Sequence, residues 1–141
     1  MRKIALDIGT KTCGFAVSDE MAIIASPLET IYFEENDLDK IKEYLRNYFA
    51  KNNVDSIIVG FPMRSNGEPS ERTIMIDRFS QSLRKEFDKK IFLVNEYGTT
   101  IAAINILKNA KLSIKKRKEN KDTLSAVLIL KEFLEYGGKE I

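Results

Sequence analysis

The chain has 141 residues, 43% hydrophobic and 31% charged, with a net charge of only +2; these values fit one globular domain with room for a real core. It contains no histidine and a single cysteine, Cys13, which excludes Ser-His-Asp and Cys-His catalysis, imidazole or thiolate metal sites, and an internal disulfide. Hydrolysis at neutral pH is left with carboxylates, lysine, or a hard metal held by oxygen ligands.

No apolar run approaches the ~20 residues that span a bilayer. The opening "MRKIALDIG" breaks into charge and glycine too early for a signal peptide. With a lone cysteine, this leads to the expectation of a cytoplasmic protein without membrane contact.

Residues 3–8 and 14–18 are short apolar runs separated by "GTKTC", which predicts an antiparallel hairpin with Cys13 as a small residue of its turn. A third strand is expected within 22–33, where Pro27 favours an edge or a bend. The period then changes. In 37–51, Leu38, Ile41, Leu45, Tyr48 and Phe49 follow a helical spacing, with Asp37 as a candidate N-cap. "VDSIIVG" (54–60) reads as a buried strand, and "FPMRSNGEPSERT" as a loop. Ser70 can cap the next helix, whose stripe is Ile76, Phe79, Leu83 and Phe87. "KIFLVN" (90–95) is a further strand, and a short helix is expected from about Thr100 to Asn109. A final helix at about 122–136 carries Leu124, Val127, Leu128, Lys131 and Leu134, and Gly137-Gly138 ends it.

The order β-β-β-α-β-α-β-α-α implies parallel strands joined by crossovers, with antiparallel strands added at one edge. An α/β fold of the ribonuclease H-like type, with a five-stranded mixed sheet flanked by helices, fits this order. Other α/β orders share the pattern. No repeat or linker divides the chain, so residues 1–141 are expected to form one domain.

Charge is unevenly placed. The stretch 108–121, "KNAKLSIKKRKENK", sets seven basic residues, among them Lys115, Lys116, Arg117 and Lys118, against Glu119 alone. A basic loop on an otherwise mildly acidic domain suggests a polyanionic partner, although such runs also occur as plain solvated loops.

Asp7 stands out for the opposite reason. It lies in an apolar strand, where an ionised carboxylate costs several kcal/mol or more without a partner. Sites in α/β sheets form outside the carboxyl ends of strands, and two further acids fall in such places. Glu96 directly follows the strand 90–95, and Asp122 opens the last helix. Taken singly, Glu96 reads as a loop carboxylate and Asp122 as an acid favoured by the helix dipole. Together with Asp7 they would form an oxygen-only site for Mg²⁺ or Mn²⁺, with two ions able to activate water and stabilise the leaving oxygen of a phosphodiester.

These residues resemble a known family. Asp7-Ile8-Gly9-Thr10-Lys11 with Gly14, Ala16, Ser18 and Asp19 is similar to the opening D-x-G-T-K-x-x-G-x-A-x-S-D of the YqgF (RuvX) family. Gly60-Phe61-Pro62 with Gly67 resembles its G-L-P loop, and Asn95-Glu96-Tyr97-Gly98-Thr99-Thr100 its D-E-R-x-T-T. Asp122 with Ser125-Ala126-Val127-Leu128-Ile129-Leu130 resembles D-x-x-A-A-x-x-I-L. The likeness spans nearly the whole chain in order and spacing. It implies a ribonuclease H-like fold and divalent-metal phosphodiester hydrolysis on nucleic acid, either in maturation of the 5′ end of 16S rRNA or in resolving Holliday junctions. Carried over by residue, Asp7, Glu96 and Asp122 fall on the acidic site positions.

Three positions depart from the pattern. Thr12 and Tyr97 stand where the family carries arginine, and Asn95 where it carries aspartate. Arginine binds phosphate bidentately in a way lysine does not reproduce, so Lys11, Arg64 and Arg72 are the candidates to supply that charge. Thr99 and Thr100, at a predicted helix start, are candidates to contact phosphate or to cap the helix. The lysines and arginine of 115–118 would hold the phosphate backbone with little sequence preference.

The leading expectation is a nuclease on structured or precursor RNA, working as a monomer or weak homodimer. Branched DNA is the alternative substrate. A reading of another class is a nucleic-acid-binding module with little catalysis. "DIGT" as the phosphate turn of an actin-like ATPase is a fourth reading, which calls for a second such domain and a longer chain.

Overall fold

The computed structural model describes residues 1–61 and 70–95, the backbone of 114–122, and all of 123–141. Its elements run β1 (Arg2–Ile8), β2 (Thr12–Ser18), β3 (Ala25–Tyr32), α1 (Asp39–Lys51), β4 (Val54–Phe61), α2 (Glu71–Glu86), β5 (Lys90–Asn95), α3 (Ile114–Tyr136) and β6 (Lys139–Glu140). The six strands form one mixed sheet in the order β3-β2-β1-β4-β5-β6. β1, β4 and β5 are parallel, β2 and β3 continue the sheet antiparallel on one side, and β6 closes the other antiparallel to β5. The predicted helix 100–109 lies outside the described residues.

The sheet buries different side chains on its two faces because alternate residues of a strand point opposite ways. Ile4, Leu6 and Ile8 of β1 join Phe15, Ile57 and Val59 beneath α1 and α2, which contribute Ile41, Leu45, Ile76, Phe79 and Leu83. Ala5 falls on the other face with Ala16, Ile58 and Val94, against Ala126, Ile129 and Leu130 of α3. Two alanines paired across β1 and β2 (Ala5 with Ala16) offer little bulk, and α3 lies over them. Asp7 shares the α3 face with Ala5 by the same alternation.

Local chemistry explains most boundaries. Gly9 donates its N–H to the Thr12 carbonyl at 2.8 Å, closing the β1–β2 turn. A Cβ there would stand 3.2 Å from both the Thr12 carbonyl and its hydroxyl. Cys13 is not a turn residue, as expected from sequence, but a fully buried core position of β2 paired with Ile8 and Ile31. The turn is shorter than "GTKTC" implies because Gly9 permits a tight reversal. β3 is an edge strand, and its register skips Leu28 where Ala16 faces Pro27; proline cannot donate to a ladder and is tolerated at such a bulged edge.

α1 starts one residue later than the Asp37 cap predicts. Leu38 occupies the N-cap position without a side-chain bond, because Asn36 adopts a left-handed φ of 63° and redirects the chain. In α2 the expected cap is present. The Ser70 hydroxyl accepts from Thr73 N–H while the Thr73 hydroxyl accepts from Ser70 N–H, a reciprocal capping box.

Two departures concern the C-terminal half. α3 begins at Ile114 rather than near 122, so the basic segment expected as a loop is helical backbone from 114 onward. Lysine and arginine are good helix formers, and a run of them extends a helix anchored further along. The sheet also has a sixth strand, one more than the five expected. At the end of α3, Gly137 takes a φ of 78° and donates to the Phe133 carbonyl. Gly138 then passes so close to β5 that a Cβ would lie 2.8 Å from the Leu93 carbonyl. That approach brings Lys139 and Glu140 into register with Leu93 and Phe92.

Candidate active site at the carboxyl edge of the sheet

β1, β4 and β5 run parallel and end at one edge, at Ile8, Phe61 and Asn95. Asp7 sits one residue from the end of β1, a central strand, and is only 6% exposed. It pairs across the sheet with Gly14, and Gly14 pairs with Thr30 of β3. Because directly opposed residues share a face, the row Asp7–Gly14–Thr30 carries no side chain in its middle. Thr30 and Thr123 of α3 share a hydrogen bond between their hydroxyls. The helix therefore crosses this row at residue 123.

Position 122 is the residue before it, in helical backbone rather than at a helix start. Glu96 follows β5 directly in sequence and lies outside the described residues, as do Arg64, Thr99, Thr100 and Tyr97. Among the described residues no three His, Cys, Asp or Glu side chains gather as a metal cluster.

Arg72 is brought to Asp7. It occupies the first turn of α2, whose start at Ser70 is set by the capping box, and its Nη2 lies 3.6 Å from Asp7 Oδ1. The same nitrogen donates to the Ile8 carbonyl at 3.0 Å. The guanidinium stays 44% exposed while the carboxylate is 7% exposed, so one side of the pair faces solvent. Sequence reasoning named Arg72 as a phosphate cation but missed its pairing with Asp7. The signal was present: a Ser-x-x-Thr cap after a strand-ending loop sets Arg72 on the first turn at the carboxyl edge.

Lys11 is exposed on the β1–β2 turn. Its carbonyl accepts from Phe33 N–H at 2.9 Å and the Thr10 carbonyl from Asn36 N–H at 2.7 Å, which ties the turn to the segment after β3 and leaves the ammonium outward. Asp19, the last residue of the opening motif, has a structural task. Its Oδ1 accepts from the N–H groups of Ile24 and Ile23 at 2.8 Å each, and these bonds hold its pKa below the usual carboxylate value. Ser18 accepts from Lys3 N–H and donates to the Asp19 carbonyl. The "SD" pair thus builds the β2–β3 turn.

Ser125, one turn on from position 122, is fully buried, and its hydroxyl has no hydrogen-bond partner among the described residues. Lys115, Lys116, Arg117 and Lys118 belong to the first two turns of α3. No helix among the described residues is long and apolar enough to cross a membrane.

Comparison with known proteins agrees with this architecture. The chain is 47% identical over 135 residues to a Mycoplasmopsis pulmonis protein named "Putative pre-16S rRNA nuclease", covering 95% of this chain and 92% of the relative. A Bacillus cytotoxicus protein of the same name is 40% identical over 139 residues, covering 96% and 98%. Among solved structures, Thermus thermophilus RuvC in complex with a Holliday junction substrate superposes with a TM-score of 0.60 at 12% identity, over 100% of this chain and 99% of that one. That likeness establishes a RuvC-type, ribonuclease H-like fold. The profile of RuvX, described as Holliday junction resolvase, matches residues 1–136, and the chain belongs to the RuvX family of nucleases.

Proposed function

We propose that this chain is a single-domain, divalent-metal-dependent nuclease that hydrolyses phosphodiester bonds of precursor ribosomal RNA in maturation of the 5′ end of 16S rRNA. The observation that carries the reading is Asp7, a carboxylate buried at the carboxyl edge of a central strand, on the face crossed by α3 at residue 123. A buried acid at the carboxyl edge of a sheet suits a ligand for a hard cation and has little value as packing. The site residues present are oxygen donors, without histidine or thiol, which fits Mg²⁺ or Mn²⁺.

Asp7, Glu96 and Asp122 would hold the metal, two ions in the fullest form of the site. Bound there, the metal supplies Lewis acidity and lowers the pKa of water for attack on phosphorus. The rest is done by the chain. Lys11, Arg64 and Arg72 meet the phosphate near the cut, Thr99 and Thr100 add hydroxyl or backbone donors, and Lys115, Lys116, Arg117 and Lys118 hold the backbone further out. The protein acts in the cytoplasm, as a monomer or weak homodimer.

The test is cleavage of precursor 16S rRNA and of a four-way DNA junction with Mg²⁺ or Mn²⁺, comparing wild type with Asp7→Asn. Metal-dependent cutting of the RNA is expected, lost by more than the roughly 10–100-fold that outer-shell partners of a metal cost. Equal cutting by Asp7→Asn would remove Asp7 from the site, and no cutting of either substrate would favour a binding module. The family description and the RuvC likeness favour the junction as second substrate. Junction resolution needs two active sites, so a strictly monomeric protein in solution would count against that second reading.

A further inference from the structure

We infer that Arg72 is the built-in counter-ion of Asp7 before metal arrives, and that its charge competes with the metal for that carboxylate. The inference rests on the metal-site reading above and adds a role for Arg72 distinct from phosphate contact.

Three observations support it. First, Asp7 is almost fully buried and must be compensated in the metal-free protein as well as in the loaded one. Second, the Arg72–Asp7 distance of 3.6 Å is longer than the 2.7–2.9 Å of a direct charge-assisted bond. The guanidinium also donates to the Ile8 carbonyl at 3.0 Å, which ties it to the end of β1. At 3.6 Å it gives Asp7 favourable Coulomb energy. Third, Arg72 is held by the first turn of a capped helix and is 44% exposed.

Such an arrangement has a measurable cost for the metal. A fixed positive charge near the carboxylate weakens cation binding, and substrate phosphate, by pairing with the guanidinium, relieves that effect. Metal and substrate would therefore bind with positive coupling through one side chain.

The experiment follows metal-free stability and Mn²⁺ affinity at pH 8, using thermal melts and titration calorimetry on the whole chain. Arg72→Gln should lower the metal-free melting temperature by on the order of 5 °C and tighten Mn²⁺ binding about fivefold, and Arg72→Lys should restore part of both. A merely structural arginine would lower stability without tightening Mn²⁺. The cycle with Asp7→Asn supplies a readout independent of metal: Arg72→Gln should cost much less in that background. Additive effects in the cycle would overturn the pairing. Unchanged or weaker Mn²⁺ binding by Arg72→Gln would overturn the competition. If wild type binds no Mn²⁺ while the cycle still shows coupling, the metal-site reading fails instead, and the competition fails with it.

Discussion

Asp7 and Ser125 show how differently two buried polar groups can sit on one face of a sheet. Asp7, near the strand end, has the half-exposed Arg72 guanidinium 3.6 Å away. Ser125 is fully enclosed with a hydroxyl that bonds nothing among the described residues. A buried hydroxyl without a partner costs about 1–3 kcal/mol relative to one that is satisfied. Ser125→Ala should therefore leave stability unchanged or raise it by about 1 kcal/mol, read from urea unfolding. A loss larger than that would mean the hydroxyl has a partner, such as an enclosed water. The family pattern D-x-x-A-A-x-x-I-L, which this stretch resembles, has alanine where this chain has Ser125, which agrees with a site that does not need the oxygen.

At the scale of elements, the capping box of α2 positions the site as well as the helix. Ser70 and Thr73 satisfy each other's backbone donors and fix the first turn, and Arg72 lies within that turn. Ser70→Ala should cost about 1 kcal/mol in unfolding free energy. Its cost to cleavage should exceed what that stability loss explains, because Arg72 loses its fixed origin; activity unchanged at a temperature where the variant is fully folded would contradict this. α3 is the other decisive element. Its sheet-facing stripe is apolar from Ala126 onward, whereas its first two turns are basic. One rigid helix thus carries the core contact, position 122 and the cationic run. Replacing Lys115, Lys116 and Lys118 by Gln should weaken binding to single-stranded RNA evenly across sequences. It should also make the slope of log K against log salt shallower by up to about 2. An unchanged slope would place the phosphate contacts elsewhere.

The whole molecule depends on a sheet whose far edge also holds charge. Lys3 of β1 and Asp55 of β4 form an ion pair at 2.8 Å near the amino ends of the strands. Burial pushes the Asp55 pKa up, but the hydrogen bond and charge of Lys3 outweigh it and the net direction is down from 3.8. A carboxylate whose folded pKa is depressed contributes stability that is fully present above its unfolded value and is lost as pH falls through the folded one. Acid unfolding should therefore show a contribution from this pair only below about pH 4, and Asp55→Asn should flatten that part of the stability profile while removing stability at pH 7. A profile of Asp55→Asn parallel to wild type down to pH 2 would show that the pair contributes nothing. The sequence alone determined the order of the first five strands and of α1, α2 and α3, the α2 cap, the odd carboxylate in β1 and the acidic and basic residues available for the site, because these follow from hydrophobic period, turn chemistry and the cost of a buried charge. Only the tertiary structure decided the rest. Cys13 became core because the β1–β2 turn closes at Gly9, β6 exists because Gly138 lets the chain graze β5, and Arg72 meets Asp7 although 65 positions separate them. Such contacts arise from the packing of distant segments, and local pattern carries no record of which ends of which elements will meet.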